Sequence, residues 1–120
     1  MSIDTAPVSA LSTHVLDTSL GRPARGIVVR LEDAAAADPG AEALGVETTD
    51  ADGRVATIGP VRLKAGDYRL TFDTAAYFAA SGRTGFYPEV AITFTVTDPE
   101  EHYHVPLLLN PFGYSTYRGS

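Results

Sequence analysis

The sequence contains no cysteine and no tryptophan, and only one of its 120 residues is a methionine. Without cysteine, no disulfide holds the fold and no thiol is available as a nucleophile. Basic residues are also few: nine Lys and Arg stand against 15 Asp and Glu, which gives a net charge of −6. Nucleic-acid binding needs clustered cations that contact phosphates, so this composition argues against a nucleic-acid partner.

Long apolar segments are missing as well. No apolar run approaches the roughly 18 residues needed to cross a bilayer, and Met1–Pro7 lacks the basic start and apolar core of a secretory signal. We therefore expect a cytoplasmic protein with no membrane partner. With 44% apolar and 20% charged residues, the chain is predicted to form one domain over 1–120, with residues 1–8 as a flexible N-terminal segment.

Short segments of alternating apolar and polar residues, separated by turn residues, run through the chain. Alternation with a period of two is typical of a strand with one buried face. The predicted strands cover residues 10–16, 26–32, 45–49, 54–57, 68–73, 90–96 and 103–109. Strands at such short spacing, with turn residues between them, indicate an all-β sandwich.

Two local signals add detail to this fold. Asp50-Ala51-Asp52-Gly53 separates the strands 45–49 and 54–57, and Asp-Gly at this position predicts that they form a hairpin. Residues 74–81 are the one helical candidate, since they are rich in alanine, with Thr74 as the cap and Gly82 at the end. The segment 34–40 is predicted to be a surface loop.

Two histidines are predicted to lie on the outer face of a sheet. In the first strand His14 alternates with Leu11 and Val15, and near the end of the chain His104 alternates with Tyr103 and Val105. Successive side chains of a strand point to opposite faces, so both imidazoles point away from the core. Pro106 removes one hydrogen-bond donor from its strand, which predicts an irregular or edge position.

These residues alone leave several interpretations open. Exposed histidines are often merely solvated, and that explanation remains open here. A zinc site is a second interpretation, because His102 and His104 share a face and His14 could complete a three-histidine set. A third is a histidine-based catalytic site that includes Arg54, since a histidine with its ordinary pKa of about 6.5 can act as a base at neutral pH.

The C-terminal segment carries a family resemblance. His102-Tyr103-His104-Val105-Pro106-Leu107-Leu108-Leu109 followed by Tyr117-Arg118-Gly119-Ser120 resembles the 5-hydroxyisourate hydrolase branch of the transthyretin-like proteins. His14 in Ser-Thr-His-Val-Leu-Asp and Arg54 in Asp-Gly-Arg match further positions of that branch. The hormone-carrying branch is similar in fold but has lysine, glutamate and threonine at the positions of His14, Arg54 and His104. The resemblance therefore favours an enzyme over a carrier.

The resemblance implies a transthyretin-like β-sandwich of two four-stranded sheets with one short helix. It implies a hydrolase that opens the lactam ring of 5-hydroxyisourate. We expect direct attack by water, since no serine or cysteine nucleophile is evident, and no cofactor or metal, since an arginine is a poor neighbour for a divalent cation. His14, Arg54 and His104 would be catalytic. Substrate would be bound by His14 and Arg54 together with Tyr117, Arg118, Gly119 and Ser120. A carrier or binding module for a small aromatic ligand is the alternative.

The resemblance also implies a homotetramer made of two dimers. Geometry independently predicts contact with another copy, because a flat sheet face that carries His14 and His104 is not a pocket by itself. One small domain has no spare element to cover that face. A second copy related by a two-fold axis is the simplest cover, and the final strand is a natural edge for pairing between copies.

Overall fold

A computed structural model describes residues 10–35 and 42–120 of the chain. The predicted flexible segment 1–8 and most of the predicted loop 34–40 lie outside these ranges. The described residues form nine strands and one helix: β1 (Leu11–Asp17), β2 (Arg22–Pro23), β3 (Val28–Asp33), β4 (Gly45–Thr48), β5 (Arg54–Val55), β6 (Gly66–Phe72), α1 (Thr74–Ala80), β7 (Val90–Val96), β8 (Tyr103–Asn110) and β9 (Gly113–Thr116).

The strands form two sheets, which confirms the predicted β-sandwich. One sheet has four strands in the order β4-β3-β6-β7, all antiparallel. The other sheet has the order β2-β1-β8-β9. Its fifth strand, β5, also pairs with β1. This sheet reaches five strands because two pieces of only two residues, β2 and β5, lie one after the other along β1.

The strands β1 and β8 at the centre of the five-stranded sheet run parallel and stay paired over seven residues, from Leu11–Tyr103 to Asp17–Leu109. This pairing joins the start of the described chain to its end. On both strands every second residue is buried, and those residues face the other sheet. The largest fully buried side chains of the resulting core include Leu11, Val15, Val29, Leu31, Leu70, Phe72, Phe78, Leu107 and Leu109.

The helix α1 lies at the predicted place, but its cap differs from the prediction. Asp73, not Thr74, is the N-cap, and its carboxylate accepts a hydrogen bond from the amide of Ala76 at 3.2 Å. Thr74 is buried and its hydroxyl donates to the carbonyl of Tyr87 at 2.8 Å. The threonine therefore attaches the helix to the loop that follows it. Because α1 has only seven residues, no helix in the described part of the chain is long enough to span a membrane.

The predicted hairpin around Asp50–Gly53 is wrong, although the turn itself is present. Gly53 has the positive φ of +74° that favours glycine, and a Cβ there would lie 2.3 Å from the carbonyl oxygen of Val15. The strand before the turn, β4, pairs with β3, whereas the strand after it, β5, pairs with β1 in the other sheet. The turn thus carries the chain from one sheet to the other and delivers Arg54 to the edge of β1.

Pro106 does not lie on an edge strand, because β8 has β1 on one side and β9 on the other. The backbone amides of successive strand residues point to opposite sides of the strand. The amide of Tyr103 points to the β1 side, where it donates to the carbonyl of Ala10, so an amide hydrogen at position 106 would point toward β9. The missing donor of proline is thus on the β9 side, and the β8–β9 ladder ends at the pair Leu107–Thr116. Proline interrupts this ladder without disturbing the pairing with β1.

Candidate active site

The parallel pairing of β1 with β8 brings the two predicted histidines onto one face. Ser12 is the direct neighbour of His104, and His14 is the direct neighbour of Pro106. Ser12, His14 and His104 are half-buried, while the residues that alternate with them are buried in the core. The predicted orientation of both imidazoles, away from the core, agrees with this arrangement.

Arg54 joins the two histidines because β5 pairs with β1. In that register His14 lies directly opposite Arg54. The Arg54 side chain is exposed, and within residues 10–35 and 42–120 it forms no ion pair. A guanidinium without a carboxylate partner remains available to a ligand with negative charge.

The turn before Arg54 also orients His14. Asp50 Oδ1 accepts hydrogen bonds from the amides of Asp52 and Arg54, each at 2.9 Å. The bond from the Arg54 amide is the main cause that lowers the pKa of the Asp50 carboxyl below its usual value. The turn then presents the carbonyl oxygen of Asp52 to His14 Nε2 at 2.9 Å. Because a carbonyl only accepts, His14 Nε2 carries the hydrogen.

His104 is held through its ring nitrogen Nδ1, which lies 2.8 Å from Ser12 Oγ. The same hydroxyl oxygen lies 3.0 Å from His102 Nε2. Burial lowers the pKa of His104 below its ordinary value, and the charged forms of His14, Arg54 and His102 lower it further, while a hydrogen bond with the backbone of Ser12 acts in the opposite direction. His104 is therefore a neutral imidazole at neutral pH, which is the form that can accept a proton.

A cavity of about 300 Å³ opens beside His104 on this face. A space of this size is at the lower end of those that hold small organic ligands. It is lined by Ser12, Thr13, Arg54, Val55, Ala56, His102, His104 and Ser120. Of the predicted substrate-binding residues, Arg54 and Ser120 thus share one cavity with the catalytic candidate His104.

Gly119 packs directly against the ring of His104. Its amide donates to the carbonyl of His104 at 2.8 Å, and the two residues form an isolated β-bridge. A Cβ at position 119 would lie only 2.5 Å from His104 Cδ2. The C-terminal segment therefore reaches the imidazole so closely that only glycine fits without displacing it.

Tyr117 and Arg118 lie on the other side of His104. They line a second cavity of about 290 Å³, together with His104 and with apolar residues of β7 and β8. The Arg118 guanidinium forms an ion pair with Glu101 at 2.7 Å and lies 4.9 Å from the centre of the Tyr103 ring. Arg118 is thus occupied by partners within the chain, unlike Arg54.

The three-histidine zinc interpretation receives no support from the geometry of the described residues. In residues 10–35 and 42–120, no group of three or more His, Cys, Asp or Glu side chains is arranged to hold a metal ion. His14 bonds to the turn carbonyl of Asp52, whereas His102 and His104 both bond to Ser12.

Ser12 and His102 are the residues whose place in the cluster was missed by sequence reasoning. The sequence indicates His102 only as a possible zinc ligand and as part of the C-terminal motif, and Ser12 only as a residue within the predicted strand 10–16. The signal was available, since Ser12 lies two residues before His14 and must share its face. The sequence does not show which strand lies beside β1. The register of β1 against β8 places Ser12 next to His104.

Comparison with known proteins finds relatives in sequence and in fold. A 5-hydroxyisourate hydrolase of Salmonella typhimurium is 46% identical over 111 residues, which cover 92% of this chain and 80% of that protein. The solved structure of Klebsiella pneumoniae 5-hydroxyisourate hydrolase superposes with a TM-score of 0.80 at 43% identity, covering 92% of this chain and 98% of that one. Sea bream transthyretin in complex with thyroxine has a TM-score of 0.80 at 33% identity, with 95% of both chains covered.

The sequence pattern of the HIUase/Transthyretin family extends over nearly the whole described structure. It matches residues 11–119, from the start of β1 to the glycine that packs against His104. The match includes both histidines, the arginine and most of the C-terminal segment on which the resemblance was based. This chain belongs to the HIUase/Transthyretin family.

Proposed function

We propose that this protein hydrolyses 5-hydroxyisourate to 2-oxo-4-hydroxy-4-carboxy-5-ureidoimidazoline, a step of urate degradation. The observation that carries the proposal is that His104 and Arg54 line one cavity, and that Arg54 forms no ion pair with any carboxylate of the described residues. These two groups supply a base for water and a cation for the negative charge that develops on a carbonyl oxygen. The relatives named 5-hydroxyisourate hydrolase support the same reaction.

In the proposed reaction, water attacks the lactam carbonyl carbon of the six-membered ring. His104 Nε2 takes a proton from the water as the new C–O bond forms. The Arg54 guanidinium binds the oxyanion of the tetrahedral intermediate. The C–N bond of the lactam then breaks, and a proton returns from His104 to the leaving nitrogen. The product keeps a carboxylate where the lactam carbonyl was.

His14 serves as the partner of His104 in this proposal. Its Nε2–H is committed to the carbonyl of Asp52, so its other nitrogen, Nδ1, is the one that can contact substrate. Arg54 lies opposite His14 on the paired strands, and the two can bind neighbouring atoms of the same ligand. Ser120 lines the same cavity as His104 and would bind substrate there, and Gly119 supports the His104 ring. Substrate binding by Tyr117 and Arg118 remains a prediction, since they line the second cavity and Arg118 is paired with Glu101.

The protein is further proposed to act as a homotetramer of two dimers, with each active-site channel shared between dimers. The face with His14 and His104 also carries Leu16 and Leu108, which are paired neighbours on β1 and β8 and only half-buried. Apolar side chains beside a polar site favour coverage by another copy. The strand β9, at the edge of its sheet, offers free backbone groups for pairing between copies.

Light scattering across a dilution series, read beside specific activity, tests the tetramer. Activity is expected to fall at the concentrations at which the tetramer dissociates, because each site is completed by another copy. A fully active monomer would contradict this assembly. The cytoplasmic location remains a prediction, which fractionation of cells that express the protein can test.

The reaction is proposed to need no metal. Arg54 is a poor neighbour for a divalent cation, and the described residues place no carboxylate ligand among the three histidines. Exhaustive chelation should therefore leave turnover unchanged. A loss of activity that zinc restores would replace this mechanism by one with a metal-bound water.

The absorbance of freshly prepared 5-hydroxyisourate, followed with and without the protein, tests the function itself. We expect decay to accelerate in proportion to protein concentration, and the His104→Asn variant to lose this effect. Stoichiometric binding without accelerated decay would instead support the alternative of a carrier for a small aromatic ligand, as transthyretin is for thyroxine in the sea bream complex.

A further inference from the structure

The hydroxyl of Ser12 lies between two imidazoles on the outer face of β1 and β8. Its oxygen is 2.8 Å from His104 Nδ1 and 3.0 Å from His102 Nε2. The position follows from the register, because Ser12 lies beside His104 on the paired strand and His102 is two residues earlier on the same face. This serine therefore contacts the ring that the proposed reaction needs as a base.

A serine hydroxyl has one hydrogen to donate and two lone pairs with which to accept. If it donates to His104 Nδ1, the neutral ring carries its hydrogen on Nε2 and cannot accept a proton there. If it instead accepts from His104 Nδ1–H, the lone pair is on Nε2. The hydrogen bond at one ring nitrogen thus decides what the other nitrogen can do.

Three observations favour the second arrangement. His104 Nε2 has no hydrogen-bond partner within the part of the chain that the structure describes, and His104 lines the cavity with Arg54. His102 Nε2 offers an acceptor for the hydroxyl hydrogen at 3.0 Å. In this direction each bond has one donor and one acceptor: His104 Nδ1–H donates to Ser12 Oγ, and Ser12 O–H donates to His102 Nε2.

We propose that Ser12, supported by His102, is a positioning residue that fixes His104 as the Nδ1–H tautomer and leaves Nε2 free to accept a proton from water. This inference rests on the proposed hydrolase function. When Nε2 takes the proton, the imidazolium keeps its Nδ1–H bond to Ser12, so no contact has to break during the step. The bond also holds the plane of the ring, whose Cδ2 edge packs against Gly119.

Kinetics of two variants at position 12 test this role. In Ser12→Ala, kcat is expected to fall about 10- to 100-fold, the range seen when a hydrogen-bond partner that orients a functional imidazole is removed. KM should change little, since the hydroxyl is occupied by the two histidines. Ser12→Thr keeps the hydroxyl and should recover most of the turnover. Thr93→Ala, which removes an exposed hydroxyl on β7 of the other sheet, is the control and should behave like the wild type.

The tautomer itself can be measured without any substrate. Long-range ¹H–¹⁵N spectra of the imidazoles distinguish Nδ1–H from Nε2–H, and the chain has only three histidines to assign. Above the pKa of His104, the wild type and Ser12→Thr should show the Nδ1–H form. Ser12→Ala should shift toward the Nε2–H form that free histidine prefers, and His102→Ala should shift in the same direction by less.

The two measurements separate this proposal from the function on which it rests. A His104 tautomer that is the same in Ser12→Ala as in the wild type would overturn the proposal, as would a kcat for Ser12→Ala equal to that of Thr93→Ala. A wild-type protein that leaves 5-hydroxyisourate unchanged, but whose His104 tautomer depends on Ser12, would refute the hydrolase function and support the positioning role.

Discussion

One strand, β1, supplies two clusters of charged and polar groups that differ in how completely their charges are compensated. Its middle carries Ser12 and His14, which face the histidine cluster of the active site. Its last residue, Asp17, is fully buried and accepts hydrogen bonds from Ser19, Leu20, Tyr77 and Arg83. In the first cluster the cationic groups face one another, whereas in the second the buried carboxylate has a donor for each of its oxygens.

The pKa values of the two clusters express this difference. Burial raises the pKa of Asp17, but hydrogen bonds from Ser19, Arg83, Tyr77 and Leu20 outweigh it and lower the pKa to about 2. At His104, burial and the charged forms of three neighbouring side chains all act to lower the pKa. The hydrogen-bond partners of Asp17 favour its charged form and so stabilise the fold. The surroundings of His104 disfavour its charged form, which is typical of a residue in a functional site.

The largest expected effect is on stability, at Asp17. Asp17→Ala removes the carboxylate that joins β1, the following turn, Tyr77 of α1 and Arg83. Breaking a buried ion pair from one side typically costs about 3–5 kcal/mol of unfolding free energy, and urea denaturation measures it. Turnover by the folded fraction should stay close to that of the wild type, because no group that contacts substrate is lost.

Glu47→Ala is the matched control for this change. It also removes one carboxylate, but from an exposed position on β4, where substitutions usually alter stability by less than about 0.5 kcal/mol. A loss of stability in Asp17→Ala no greater than that of Glu47→Ala would show that the Asp17 cluster does not stabilise the fold.

The second effect is on activity, at the other cluster. His14→Asn, His104→Asn and Arg54→Glu should each reduce turnover at least about 10²-fold, as the loss of a base or of a charge-stabilising group does. Urea denaturation should show little change, because all three side chains lie on the outer face. Arg25→Glu makes the same charge change at an exposed arginine outside the site and should keep its activity. Three variants with wild-type turnover would refute the site assignment.

Sequence patterns predicted the active-site face better than the Asp17 cluster, and the reason is physical. Alternation within β1 and β8 is local, so the outward direction of His14 and His104 could be read from neighbouring residues. The first predicted strand ends at residue 16, just before Asp17, and nothing local indicates that Tyr77 and Arg83 would reach Asp17, because those contacts span 60 and 66 residues.

The same distinction explains the other errors. Asp-Gly correctly predicted a tight turn at Asp50–Gly53, but a turn does not specify which strands its flanking segments join. Pro106 correctly predicted an interrupted ladder, while the strand's central place in the sheet depends on β1, which lies about 90 residues away in the chain. Local conformation was therefore predictable, and strand partners were not.

A third and smaller effect is expected at Gly119. In Gly119→Ala the added Cβ would lie 2.5 Å from His104 Cδ2, so the ring or the C-terminal segment must move. Displacing a reacting group by about 1 Å can cost up to about 10²-fold in rate, and we expect a loss of about 10- to 100-fold in kcat. Gly113→Ala is the control, since its nearest contacts are at 3.8 Å. Equal kcat values for the two variants would show that Gly119 does not support the His104 ring.

The smallest effect is expected in the pH dependence of kcat/KM and of stability. The histidine cluster should lose its activity at a higher pH than that at which the Asp17 cluster loses its contribution to stability. His104 must be neutral to act as a base, and its pKa is lowered from 6.5. The kcat/KM should therefore be constant above pH 6.5 and fall as pH decreases through the lowered pKa. Asp17 has a pKa lowered from 3.8 to about 2, so its contribution to stability is complete above pH 3.8 and is lost as pH falls toward 2.

On acidification, activity should thus be lost before the Asp17 contribution to the fold, and far-ultraviolet circular dichroism measured beside kcat/KM checks this order. The groups whose charged forms lower the pKa of His104 are His14, Arg54 and His102. Neutralising one of them, as in Arg54→Gln, should move the acid limb of the residual activity upward toward pH 6.5, because the imidazolium is then less disfavoured. Asp17→Asn should leave that limb in place. A limb that moves with Asp17→Asn but not with Arg54→Gln would mean that loss of structure, not protonation of His104, ends activity at low pH.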